Sequence, residues 1–216
     1  AGKRRLNTTS RTTLGRWQLQ KALRDMVNAG CTHAVIEVAS EGIAWHRVWG
    51  IAFDVAVFTN LSPEHLNFHK TMENYRNTKG KLFEKLMKSK KKGFPKTIIV
   101  NADDKEWKYF YKFPAEQKIT YGLENGEVWA TSIIFGDKTE FEIRDNEKKI
   151  QIKSNLRAKF NIYNMLTAYS VGKAFQIETE KIVKGIESVK NLEGRMDEIP
   201  NKRGIKIFVD YAVTPE

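Results

Sequence analysis

Residues His33–Phe83, HAVIEVASEGIAWHRVWGIAFDVAVFTNLSPEHLNFHKTMENYRNTKGKLF, decide the fold. Two short apolar runs within them each stop at polar residues. Ala34-Val35-Ile36-Glu37-Val38 stops at Ala39-Ser40-Glu41-Gly42, and Val55-Ala56-Val57-Phe58-Thr59-Asn60 stops at Ser62-Pro63-Glu64-His65. Unbroken apolar runs bounded by turn signals suit strands buried on both faces, as in a parallel sheet. Ligands of open α/β sheets sit beyond the carboxyl ends of the strands. Glu37, Ser40, Asn60 and His65 are therefore expected where chemistry takes place, and a carboxylate at a buried strand end needs a partner, because an unpaired buried charge is costly.

Downstream, Met72, Tyr75, Leu82, Phe83, Leu86 and Met87 recur at helical spacing behind Thr71, a residue type that caps helices. Lys79 falls on that apolar face, whereas Lys81, Lys85, Lys88 and Lys90 lie off it or at its end. A lysine that faces a core is paired, deprotonated or modified, since burial disfavours its charge. The alternative is a stem that covers apolar surface while the amine reaches water. Ser62 and Pro63 read as N-cap and first helical residue, which puts His65 in a first turn pointing back at the strand ends.

Outward from this stretch, a packing helix is expected over Trp17–Asn28, with Leu19, Leu23, Met26 and Val27 on one side and Gly30 as its stop. Thr97–Val100 reads as a third buried strand ending in Asn101-Ala102-Asp103-Asp104, a turn able to satisfy backbone donors at a strand end. Val128–Phe135, Thr139–Arg144 and Lys148–Ile152 alternate in places around polar turns and predict an antiparallel meander forming a side sheet. Phe160–Ala168 opens a helix in which Asn161 and Asn164 share one face, able to read a base edge. Ile205–Val209 is the last expected strand.

At 216 residues the chain can bury a sizeable core. It holds no apolar run long enough to span a bilayer and no secretory signal pattern. The single cysteine, Cys31, excludes an internal disulfide, suits a reducing cytoplasm and is expected to pack at the entry to the first strand. The formal charge of +11 invites a nucleic-acid reading, but much of the excess lies in the eight lysines of Lys79–Lys96. Aromatics are not interleaved with those lysines in the way single-strand binders require, so a solvated helix face is the preferred meaning. A basic surface also draws in anionic nucleotides.

Several of these phrases carry a resemblance. Glu37-Val38-Ala39-Ser40, Phe58–His69, Thr71–Tyr75 and Lys79–Phe83 resemble the central domain of the Mur ligases, nearest to the MurE branch with its "EVSSH", "TNLSxDHLDxH" and "TMENY". Enzymes of that branch use ATP to add the third amino acid to UDP-N-acetylmuramoyl-L-alanyl-D-glutamate in peptidoglycan synthesis. The resemblance implies a three-layer α/β domain with a mostly parallel sheet flanked by helices and a smaller antiparallel side sheet. It further implies that Glu37, His65 and a carbamylated Lys79 are the catalytic residues that hold magnesium. Carbon dioxide adds to a neutral amine, which is what a lysine with a lowered pKa offers.

Arg11-Thr12-Thr13-Leu14-Gly15 resembles the family's "TTPG", so Thr12 and Thr13, with Ser40 and Arg47, are implied to hold the muramoyl peptide. Asn161 and Asn164 resemble "FNxYNxLAA", Arg195 "GRME" and Asp210 "DYAHTP", and all four are implied to bind ATP. Departures from the family pattern are Leu14 for proline, Ala39 and Glu41 in the "SSH" segment, Trp45 for a polar residue, Glu64 and Asn67 for aspartates, and Val213 for histidine. As ligands, His46 and His69 have no support comparable to that of His65. No G-x-x-x-x-G-K-[ST] phosphate loop is present: Gly2-Lys3 is followed by Arg4. The expectation is a fragment, with residues 1–198 forming the central domain and 199–216 the last strand and the start of a linker to a further domain. The protein is expected to be monomeric and cytoplasmic, with a nucleotide-linked peptide and an amino acid as partners. The competing readings are a related ligase with a different acceptor and a non-catalytic basic binding module.

Overall fold

The computed structural model describes Asn7, Thr9 and residues 11–211, and the chain divides into two units, residues 1–53 with 63–90 and residues 54–62 with 91–216. Among the described residues the first unit holds the helices α1 (Arg16–Asn28), α2 (Ser40–Ala44), α3 (Leu66–His69) and α4 (Met72–Lys88). The stop of α1 works as its glycine predicts: Gly30 takes φ +79°, and Cys31 N–H and Gly30 N–H bond back to the carbonyls of Met26 and Val27. Leu19 is buried on the packing side, while Met26 and Val27, expected beside it, are exposed. Thr71 caps α4 by accepting from Asn74 N–H at 3.1 Å, and Tyr75, Phe83 and Leu86 form its buried stripe.

The run Ala34–Val38 is not a strand. No strand pairs with it among the described residues, Val35 is 94% exposed, and Glu37 is exposed rather than buried. Apolar pattern supplies a strand's side chains but not its ladder, and without a hydrogen-bonded neighbour the segment stays irregular. Cys31 is partly exposed in consequence and enters no strand.

The second unit is a six-stranded sheet in chain order: β1 (Val55–Phe58), β2 (Thr97–Asn101), β3 (Gln117–Gly122), β4 (Val128–Phe135), β5 (Thr139–Asp145) and β6 (Lys148–Ser154). Pairing is parallel from β1 to β4 and antiparallel from β4 to β6. All five residues of β2 are buried, as a run covered on both faces must be. Register explains how. Ile99 lies beside Ile119 and enters the core shared with α6 (Lys159–Ala174) and α7 (Thr179–Glu187), whereas Phe58, beside Val100, points the other way and stacks on Phe110 of α5 (Trp107–Tyr111) with centroids 4.0 Å apart. Helices therefore cover both faces of this sheet.

The expected meander is present but continues the parallel sheet, because the turn after β3 brings Val128 and Trp129 alongside Tyr121 and Gly122. The smaller antiparallel sheet is the ribbon of β7 (Asp197–Glu198) and β8 (Phe208–Val209), so the last strand is shorter than Ile205–Val209. No helix among the described residues is long and apolar enough to cross a membrane.

Candidate active site

Thr13 organises the first unit's site. Its buried hydroxyl donates to Glu37 C=O at 3.0 Å and accepts from Ala39 N–H at 2.8 Å, strapping the irregular segment in place just before α2. Arg47 Nη1 donates to Thr13 C=O at 3.1 Å. The approach is close enough to need a glycine at 42, where a Cβ would lie 2.9 Å from Thr13 Cβ and Oγ1. Thr12 is exposed beside it.

Ser40 opens α2, and its buried Oγ lies 2.8 Å from Nε2 of the buried His69. The helix expected from Ser62 starts later. His65 is the residue before α3 and adopts the left-handed conformation, φ +57° and ψ +20°. A chain turning there cannot also hold a first turn from Pro63, because a left-handed residue interrupts a right-handed helix. His65 Nδ1 lies 3.8 Å from Glu41 Oε1, and its Nε2 lies 3.8 Å from Glu64 Oε2.

Aromatic rings link these groups to α4. His69 stacks on Tyr75 at 5.0 Å, His65 meets the same ring edge-on at 6.0 Å, and Lys79 Nζ stands 5.1 Å from its centroid. Lys79 is half-buried. Burial holds its ammonium below the ordinary lysine value, while the charges of Glu64 and Glu37 oppose that shift. Burial pushes the Tyr75 hydroxyl up to about 12, with Glu64 adding to it. His69 is held below the usual histidine value by burial and then by His65 and Lys79, against Glu41. The fold thus brings Glu37, Ser40, His65 and Lys79 into one patch, and adds Glu41, Glu64, His69 and Tyr75. Asn60, expected with them, follows β1 in the other unit and is exposed.

The donor chemistry of this patch can be tested against magnesium, which prefers oxygen ligands. Glu37 and Glu64 offer carboxylates toward Lys79. Among the described residues, however, no three histidine, cysteine, aspartate or glutamate side chains stand close enough to hold a metal ion. An ammonium has no lone pair to give, so the set fits only with Lys79 converted to an oxygen donor.

In the second unit Asn161 is fully buried; its Nδ2 donates to Arg157 C=O at 2.6 Å and its Oδ1 accepts from the exposed Asn164 at 3.1 Å. The shared helix face is therefore real, and Asn164 is the amide presented outward. Arg195 and Asp210 are also brought together: Arg195 Nη1 donates to Tyr211 C=O, Met196 N–H to Asp210 Oδ2, and Tyr211 N–H to Gly194 C=O. A cleft of about 370 Å³ beside them is lined by Arg157, Lys190, Asn191, Arg195 and Glu198 among others. The segments around Gly2-Lys3-Arg4 and Val213 lie outside the described residues. Asp103 and Asp104 serve the backbone, Asp103 accepting from Leu123, Glu124 and Asn125 N–H and from Tyr163 O–H, and Asp104 from Leu61 and Glu106 N–H.

The pattern describing the Mur ligase middle domain matches residues 2–172. The chain belongs to this Mur ligase family. It is 38% identical over 200 residues to a UDP-N-acetylmuramoyl-L-alanyl-D-glutamate–2,6-diaminopimelate ligase of Bacillus velezensis, covering 92% of this chain and 41% of that protein. It is 38% identical over 213 residues to UDP-N-acetylmuramyl-tripeptide synthetase 2 of Oceanobacillus iheyensis, covering 97% and 42%. A solved UDP-N-acetylmuramoyl-L-alanyl-D-glutamate–2,6-diaminopimelate ligase superposes with a TM-score of 0.78 at 27% identity, over 90% of this chain and 40% of that one. The chain thus spans about two fifths of the length of the Mur ligases it matches. Sequence reasoning named Lys79, Glu37 and His65 but gave His69 no role, because its partner Ser40 is far away in the chain and only the fold pairs them.

Proposed function

We propose that this chain is the central domain of an ATP-dependent ligase that joins an amino acid to UDP-N-acetylmuramoyl-L-alanyl-D-glutamate. The observation that carries the reading is Lys79, half-buried on α4 with its ammonium disfavoured by burial and faced by Glu37 and Glu64. A lysine so placed gives up a proton more readily than a surface lysine, and the neutral amine is the form that adds carbon dioxide. The carbamate, with Glu37 and His65, would hold magnesium. When bound, that ion supplies charge neutralisation for phosphoryl transfer from ATP to the substrate carboxylate, ahead of attack by the incoming amine.

The other residues bind and orient. Thr13 and Arg47 fix the 37–39 segment, so Glu37 is presented from a strapped backbone rather than a free loop. Thr12, exposed beside that strap, is the contact for the muramoyl peptide, with buried Ser40 behind it against His69; for ATP the contacts are Asn164, oriented by buried Asn161, and the Arg195–Asp210 turn. Ala39, Glu41 and Trp45, the last 63% exposed, change the surface around this region and favour as second reading a related ligase with a different acceptor.

The test is Lys79→Ala in the natural gene product. Ligation should fall at least a hundredfold without loss of fold, and added short carboxylates should restore part of it; an unchanged rate overturns the assignment. A panel of peptide acceptors on the unmodified protein separates the two acceptor readings.

A further inference from the structure

α2 and the segment around α3 meet along two rungs of unlike chemistry. Glu41 and Trp45, four residues apart on α2 and its C-cap, lie on one side of the helix. Glu41 reaches His65, the residue before α3, with Oε1 3.8 Å from Nδ1. Trp45 meets Phe68 of α3 instead, with ring centroids 6.4 Å apart and planes tilted by 41°. The polar rung continues into the patch, since His65 rests on the Tyr75 ring that Lys79 also faces. The aromatic rung stays exposed on both sides. Single exposed aromatics are ordinary; two that stand together at the end of a polar patch are a binding surface in shape and chemistry.

Both rings are carried on fixed supports. Trp45 closes α2 by donating its N–H to Glu41 C=O at 2.9 Å, and the chain then turns back on the helix, His46 N–H bonding to Ile43 C=O and Arg47 N–H to Gly42 C=O, with His46 at φ +53°. Arg16 Nε fastens that turn to α1 by donating to His46 C=O at 3.3 Å. Phe68 rests edge-on against the buried His69 ring at 4.7 Å, and His69 is pinned by Ser40 at 2.8 Å. An aromatic side chain on a fixed backbone loses little freedom when it binds. We propose that Trp45 and Phe68 form an apolar subsite that grips a carbon-lined face of the acceptor while its reacting end lies toward His65 and Lys79. A pyranose ring, with its C–H face, and an aliphatic side chain share that chemistry. Trp45 stands where the family pattern has a polar residue, so the aromatic rung is particular to this chain. The subsite rests on the ligase reading. A plain clamp between α2 and α3 predicts no effect of Trp45 on acceptor affinity.

The experiment titrates UDP-N-acetylmuramoyl-L-alanyl-D-glutamate into the natural gene product by calorimetry, for the unmodified protein, Trp45→Phe and Trp45→Gln, with circular dichroism to verify the fold of each. Expected are an affinity about tenfold weaker in Trp45→Gln and one close to the unmodified protein in Trp45→Phe, which keeps a ring. Saturation-transfer NMR on the same samples identifies the face that is gripped. Transfer centred on the pyranose C–H protons assigns the sugar, transfer centred on the alanyl methyl assigns the peptide, and either signal should fade in Trp45→Gln. Equal affinity in Trp45→Gln and the unmodified protein overturns the subsite and leaves the ligase reading standing. No binding by the unmodified protein overturns the acceptor assigned to the ligase, and the subsite with it.

Discussion

Thr13 shows how a residue's chemistry can be legible while its use is not. As one of two threonines in a polar loop it reads as a substrate contact, yet its hydroxyl is engaged on both sides by backbone 24 and 26 residues away. Thr13→Val would leave Ala39 N–H and Glu37 C=O without that partner, at a cost of about 1–3 kcal/mol. Urea denaturation of the variant checks this, and a midpoint unchanged from the parent would show the strap to be dispensable. Lys79 is the opposite case. Helical spacing alone put it on the apolar face, and the fold keeps it there, beneath two carboxylates supplied by other segments. Local periodicity reports what a residue's own helix does with it; it is silent on groups that arrive from elsewhere, which is why Glu41 and His69 went unassigned.

Elements whose stability is local were read well and those that depend on a neighbour were not. α4 starts at its threonine cap and α1 stops at its glycine, because caps act within a few residues. Ala34–Val38 has a strand's composition but no described partner, and the pattern could not reveal that. The turn from β3 to β4 is the element that joins the parallel and antiparallel halves of the sheet, and it too is held from afar, by the Asp103 carboxylate. A Cβ at Gly122 would lie 2.1 Å from Asn125 C=O and 2.8 Å from Asp103 Oδ2. Gly122→Ala should therefore open the turn and destabilise the second unit by more than an ordinary helix or strand substitution, seen as faster amide exchange in β4. Beside the start of β4, where it pairs with Val128, buried Asp145 accepts from Lys173 Nζ at 2.6 Å and Tyr169 O–H at 2.9 Å, fastening β5 to α6. Asp145→Ala is expected to cost about 2 kcal/mol, less than a fully buried pair because Lys173 keeps some solvent; thermal or chemical denaturation measures it.

Across the whole molecule, response to acid is set by groups of opposite sign. Burial would raise the Asp103 carboxyl, but the amides of Leu123 and Glu124 with the Tyr163 and Asn125 side chains outweigh it and hold it below 3.8. Its contribution is present above that unfolded value and lost as the pH falls through the lower folded value. Asp104, raised by burial, works the other way, so its ionisation weakens the folded state as pH rises above 3.8. Asp103→Asn should thus be less stable than the parent at neutral pH by a gap that narrows as the pH is lowered to about 3; a constant gap would show that Asp103 does not titrate with folding. The same turn carries a clock. Asn125 precedes Gly126, and side-chain amides of asparagine are among the thermolabile groups of proteins. Here the Asn125 amide and its backbone N–H both point at Asp103 Oδ1, at 3.1 and 2.8 Å. Hydrolysis of that amide on ageing would set a second negative charge against the one that holds the turn, loosening the link between β3 and β4.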